Sequence, residues 1–168
     1  MRRLIYLIAS LMLVSLVGCE KYALDRQMEE LCKKDGGMTI LETVTLPATA
    51  FYQTGQVITS EGIPDPNNPR IYQSVVRGGE YLVVREETII KAGEPSKSTG
   101  APFGVVTEGR LLRFEVRVVR IANKKILGTG VSYGRSGGGF SLGHPDSKTC
   151  PSGETASSVE VLVFKTEK

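Results

Sequence analysis

The stretch Leu112-Arg113-Phe114-Glu115-Val116-Arg117-Val118 alternates apolar and charged residues without a break. Successive side chains of an extended chain point to opposite sides, so Leu112, Phe114, Val116 and Val118 share one face while Arg113, Glu115 and Arg117 share the other. A helix would scatter both sets around its axis. The stretch is read as a strand with one buried and one wet face, the habit of antiparallel sheets.

Working outward, residues 71–77 and 80–91 are rich in Val, Ile and Tyr and flank Gly78-Gly79, which predicts a hairpin. On the other side, Asn123-Lys124 predicts a turn into a strand over 126–133, whose Gly128 and Gly130 point to a bulge or the close approach of another backbone. Residues 38–46 read as a strand that Glu42 makes an edge or bends. Residues 158–164 are apolar except for Glu160, which predicts a central strand covered on both sides. Residues 61–70 hold three prolines and are read as a loop, and residues 135–153, rich in Gly and Pro, as a second, long one.

The pattern changes period near the start of the chain. Leu24, Met28 and Leu31 fall at i, i+4 and i+7, with Cys32 beside them, and Lys33 and Lys34 precede Gly36-Gly37. That is a helix with an apolar stripe, cations at its carbonyl end and a glycine stop. A helix followed by strands joined mainly by turns predicts an α+β fold: an N-terminal helix packed on a mainly antiparallel β-sheet or open barrel. The expected division is a helix over 19–35 and a single antiparallel β domain over 36–168.

Ahead of the helix, Arg2 and Arg3 precede an unbroken apolar run over 4–17 and a small residue. Charged start, apolar middle and small exit are the three parts of a secretory signal peptide, and a run of about 14 residues is shorter than the roughly 20 a membrane-crossing helix needs. The exit, Leu16-Val17-Gly18-Cys19, resembles the lipobox of bacterial lipoproteins. The resemblance implies that residues 1–18 are removed, that Cys19 carries a diacylglyceryl group, and that its new amine is acylated. Glu20 after the cysteine implies the outer membrane and its periplasmic face. Two or three acyl chains make such an anchor stable where one does not.

With Cys19 assigned to lipid, Cys32 and Cys150 are the remaining thiols of an oxidising compartment and are expected to pair; free thiols or a metal site are the rivals. Subtracting Arg2 and Arg3 from 21 Lys+Arg leaves 19 against 18 Asp+Glu, so the basic excess nearly vanishes with the signal. No basic run is interleaved with aromatics, so nucleic acid is not an expected partner.

Motifs for chemistry are thin. Gly134-Arg135-Ser136-Gly137-Gly138 matches the Gly-x-Ser-x-Gly nucleophile elbow in letters, but glycines and Pro145 follow where a helix belongs, and Asp146 comes after His144 rather than before it. His144 is the one histidine, and Asp65, Asn67 and Asn68 lack EF-hand spacing, so no catalytic residue, metal ligand set or cofactor is expected. Arg113, Glu115 and Arg117, with Arg110 and Arg120 near the strand ends, form the candidate binding face, for an acidic partner. The expectation is a lipid-anchored outer-membrane lipoprotein with a binding, assembly or envelope-maintenance role and a protein partner in the envelope. The alternatives are a protective inhibitor or immunity lipoprotein, a weakly supported serine hydrolase, and a carrier. An inhibitor would present a protruding loop at 61–70 or 135–149, and a carrier an apolar cavity of several hundred Å³.

Overall fold

The computed structural model describes residues 19–93, 103–142, 146–153 and 156–167. Helix α1 spans Cys19–Asp35 and ends before Gly37, which takes φ +119°, a conformation open to glycine. Its stripe of Leu24, Met28 and Cys32 is buried against Leu111, Val131 and Tyr133 of the sheet. Cys32 and Cys150 form a disulfide with an S–S distance of 2.07 Å, joining the end of the helix to the sheet.

The sheet is open and mostly antiparallel, and it does not close into a barrel. In chain order its strands are β1 (Gly37–Ile40), β3 (Ile63–Asp65), β4 (Asn68–Val75), β5 (Tyr81–Lys91), β7 (Arg110–Arg120), β8 (Lys125–Ser136) and β10 (Ser147–Cys150). The spatial order is β1-β8-β7-β5-β4-β3, and β10 lies end to end with β1 along the same side of β8. Two short pairs stand apart from it: β2 (Val44–Leu46) runs parallel to β11 (Phe164–Thr166), and β6 (Phe103–Val106) pairs with β9 (Phe140–Leu142). Among the described residues no helix is long and apolar enough to cross a membrane.

The run at 158–164 is a helix, not a central strand: α2 spans Ser158–Val163, and only Phe164 belongs to β11. Val159 and Val163, four residues apart, are fully buried, whereas Val161 and Leu162 are exposed, which is helical periodicity. The cause lies on β8. A Cβ on Gly128 would stand 2.6 Å from Val163 Cγ2, and one on Gly130 would fall on the carbonyl oxygen of Ala156. Two glycines on one face of the strand leave a groove that the helix fills, and this packing overrides the strand preference of valine. The bulge expected there is also present, as Leu127 stands unpaired between the Val118 and Val119 partners.

Other expectations shift in the same manner. Residues 61–70 form the outermost hairpin, β3 to β4, around a turn in which Asp65 Oδ1 accepts from the amides of Asn67 (2.8 Å) and Asn68 (3.2 Å). Proline excludes a central strand but not an edge, which is where Pro64 sits. Residues 135–153 are not one long loop, because β8 continues to Ser136 and β10 pairs with its last four residues. Residues 38–46 break at Glu42, whose carboxylate takes Arg120 and Lys125, the latter at 2.8 Å.

Candidate functional site: the two half-covered faces of the sheet

The alternation of β7 divides the sheet into two faces, and neither is covered throughout. On the face of Val116 and Val118, α2 packs over Val83, Gly128 and Gly130 to form the larger core. On the face of Arg113, Glu115 and Arg117, α1 packs over Leu111, which is 0 % exposed two residues before Arg113. The expected wet face is thus half roofed. The two helices cover opposite faces at opposite ends.

Arg113, Glu115 and Arg117 lie beyond the roofed part, in a ladder of ion pairs. Arg113 binds Asp35 at the end of α1 (3.2 Å) and Glu115 (2.6 Å), while Arg117 binds Glu86 (2.9 Å) and Glu115 (3.5 Å). Tyr133 donates its hydroxyl to Asp35 at 2.6 Å. Burial and the bond to Asp35 push the Tyr133 phenol up, and the guanidinium of Arg113 is held more firmly protonated because Glu115 outweighs the burial that opposes it. Two arginines here meet three carboxylates of their own chain. Within this ladder the Arg113–Asp35 pair ties the end of α1 to the sheet, and the other pairs join β5 to β7 or lie along β7.

The serine of the elbow motif is nowhere near a strand-to-helix turn. Ser136 is the last residue of β8, paired with Arg110 on one side and Ser147 on the other. His144 lies outside the described residues, and among those described no three His, Cys, Asp or Glu gather as a metal would require. The neighbouring Arg135 is only 2 % exposed and holds Asp25 of α1 (2.6 Å), Asp146 (3.0 Å) and the carbonyl of Gly137 (2.7 Å). Burial favours the neutral form of Asp146, but hydrogen bonds from Lys21 and Arg135 outweigh it and hold the carboxyl below the ordinary range.

Sequence reasoning passed over the feature that stands out most. Where α2 ends its cover, the apolar face of β7 runs on into a hollow of about 410 Å³, floored by Phe114, Val116 and Ala156 and flanked by Tyr72, Ser132 and Thr149. Arg70 and Arg85 reach its rim. Glu86 and Glu115 also border it, but their carboxylates turn through the sheet to Arg117 and Arg113. A second, polar hollow of about 400 Å³ adjoins it, lined by Tyr52, Gln56, Ser158 and Glu160. Arg85 and Ser157 line both. Arg85 spans the divide, bound to Glu160 at 2.6 Å and to the Ser74 hydroxyl at 3.3 Å. Glu160 is 9 % exposed, and that burial pushes its carboxyl up, with Arg85 pulling the other way.

The chain matches no family profile, no curated protein and no solved structure in comparisons with each. The functional reading therefore rests on the residues themselves. The signal for the hollow was present in the alternation of β7, since Leu112 and Phe114 continue an apolar face further than one short helix can cover.

Proposed function

We propose that this chain is a lipoprotein held through Cys19 at the periplasmic leaflet of the outer membrane, where its domain acts by binding, in the assembly or upkeep of the envelope. The observation that carries the reading is that Cys19 is itself a residue of α1, five positions before the buried Leu24. An acyl group there is coupled to the sheet through a packed and disulfide-linked helix rather than a slack tether. Tyr22, 77 % exposed on the same stretch, suits the headgroup layer, where amphipathic rings concentrate. Binding rather than catalysis is favoured because the open half-face is an apolar hollow, and Ser136 is committed to a strand.

Cys19→Ser tests the reading. The variant is expected to leave the outer-membrane fraction while keeping its thermal midpoint, and mass spectrometry of the wild-type N-terminal peptide should find Cys19 bearing acyl chains. A variant that fractionates with the outer membrane at full yield, or an unmodified wild-type Cys19, overturns it.

A further inference from the structure

The polar hollow beside α2, about 400 Å³, falls in the roughly 300–1,000 Å³ range of small-molecule sites, and its lining restricts what it can take. Among the described lining residues stand one cation and one anion, Arg85 and Glu160, bound to each other at 2.6 Å. A charged or zwitterionic ligand would have to split that pair and leave the buried Glu160 without its cation, whereas a neutral ligand leaves it intact. Side by side, the pair offers guanidinium donors and a carboxylate acceptor, and a ligand hydroxyl, which donates and accepts at once, uses both. Both groups are held in place, Arg85 by the Ser74 hydroxyl at 3.3 Å and Glu160 by its burial. Tyr52 and Gln56, on the same lining, sit on a turn closed by its own backbone: the Tyr52 amide donates to the Gln56 carbonyl (2.8 Å) and the Gly55 amide to the Tyr52 carbonyl (2.9 Å), with Gly55 at φ +80°. The Tyr52 ring is 54 % exposed there. With those backbone groups committed to the turn, an extended peptide finds no ladder to join. A wholly apolar ligand fails for another reason, since it would strip water from Arg85, Glu160 and Gln56 without replacing the lost hydrogen bonds.

We infer that this hollow binds a neutral sugar, its C–H face laid on the Tyr52 ring and its hydroxyls bonded to Gln56, Arg85 and Glu160. A sugar ring combines what the lining asks for: no net charge, a rim of groups that both donate and accept, and an apolar face for an exposed aromatic ring. The ligand class deepens the reading of the domain as a membrane-held binding module and rests on that reading only for the source of the sugar. α2 covers the end of the sheet opposite the start of α1, so the hollow beside it meets glycans of the aqueous envelope rather than the leaflet.

The test uses the full chain in nanodiscs of zwitterionic phospholipid, with empty nanodiscs as the control. The probes are maltotriose and chitotriose, which are neutral, and the trimers of galacturonate and of glucosamine as their anionic and cationic counterparts, each titrated by calorimetry. Saturable binding of one neutral trimer per chain is expected, with a Kd of about 1 mM or tighter, and both charged trimers should bind at least about tenfold more weakly. Tyr52→Ala should weaken the neutral trimer about tenfold, with Tyr52→Phe keeping most of the affinity, and Gln56→Ala should weaken it about threefold. Amide signals of Gln56 and Thr59 should shift on titration while those of Phe114 and Val116, in the apolar hollow, stay in place. Absence of saturation by both neutral trimers up to about 10 mM, a charged trimer bound as tightly, unchanged binding in Tyr52→Ala, or shifts confined to the apolar hollow overturns the inference. None of these outcomes touches the lipidation of Cys19, so the failure of the ligand and the failure of the anchor are told apart.

Discussion

Gly130 and Glu160 show how single positions decide the meeting of α2 with the sheet. A methyl group on Gly130 would meet the Ala156 backbone, which cannot swing aside as a side chain can. Gly130→Ala should therefore cost about 2 kcal/mol, the usual scale of overpacking, and lower the thermal midpoint by about 4–8 °C in a domain of this size. A midpoint unchanged by calorimetry would mean that α2 does not sit in the glycine groove. Glu160 acts through protonation. Its carboxyl is raised by burial, so the folded chain holds the proton more tightly than the unfolded one, and this contribution to stability is fully present below the unfolded value of 4.5 and lost as pH rises through the folded value. Asp146, held below 3.8, has the opposite sign: its contribution is present above that value and lost as pH falls through the folded one. Glu160→Gln keeps the neutral form at every pH. It should be at least as stable as the parent at about pH 7, with the difference narrowing toward about pH 4, by urea denaturation. A clear loss of stability at neutral pH would show that the Arg85 pair outweighs its desolvation.

Helix α1 is held to the sheet by its apolar stripe, by Arg135 and Arg113, and by a bond between residues 118 positions apart in sequence. Cross-linking so long a loop restricts the unfolded chain strongly, so Cys32→Ser should cost about 3 kcal/mol, seen as a lower denaturation midpoint, while the protein stays in the membrane fraction. Loss of both stability and membrane address would mean that the two cysteine roles are not separable. α1 was legible in the sequence because period, cations and glycine stop agree, β7 because long alternation admits one reading, and β5 because residues rich in Val, Ile and Tyr follow the Gly78-Gly79 turn. α2 was not, since six residues are too few to separate a helical from an extended period when valine fills both. Its cause sits some 30 residues away, in Gly128 and Gly130, which signalled a close backbone without naming its conformation. Arg113, Glu115 and Arg117 were legible as a charged row, but the carboxylate partners Asp35 and Glu86 come from other elements that no local pattern links to it. The hollow escaped for the same reason: strand alternation says which side is apolar, not how far a helix covers it.

At the scale of the whole molecule, two helices on opposite faces and opposite ends of one sheet leave two quarters open along the other diagonal. One is the ion ladder, the other the apolar hollow. α1, at 1.5 Å per residue over 17 residues, is about 25 Å long, and β7, with 11 residues, runs about 35 Å. The start of α1 is tied to the Ser136 end of β8 through Arg135, Asp25 and Asp146, whereas the turn from β7 to β8 at Asn123 stands at the far end of both strands. If lipid on Cys19 places the first end at the bilayer, the rigid docking of α1 sets the distance of the other. Asn123 should then stay about 35 Å from the anchored end, beyond the headgroup layer, with no tether to let it approach. Paramagnetic lipids in nanodiscs read this directly: amide signals at Tyr22 should be strongly attenuated and those at Asn123 left near full intensity. In Cys32→Ser, where the helix end is no longer covalently joined, partial attenuation at Asn123 is expected as the sheet gains freedom to tilt. Equal attenuation at Tyr22 and Asn123 in the parent protein would mean that the domain lies along the membrane, which would bring both open quarters within reach of lipid and remove the reason for a defined presenting face.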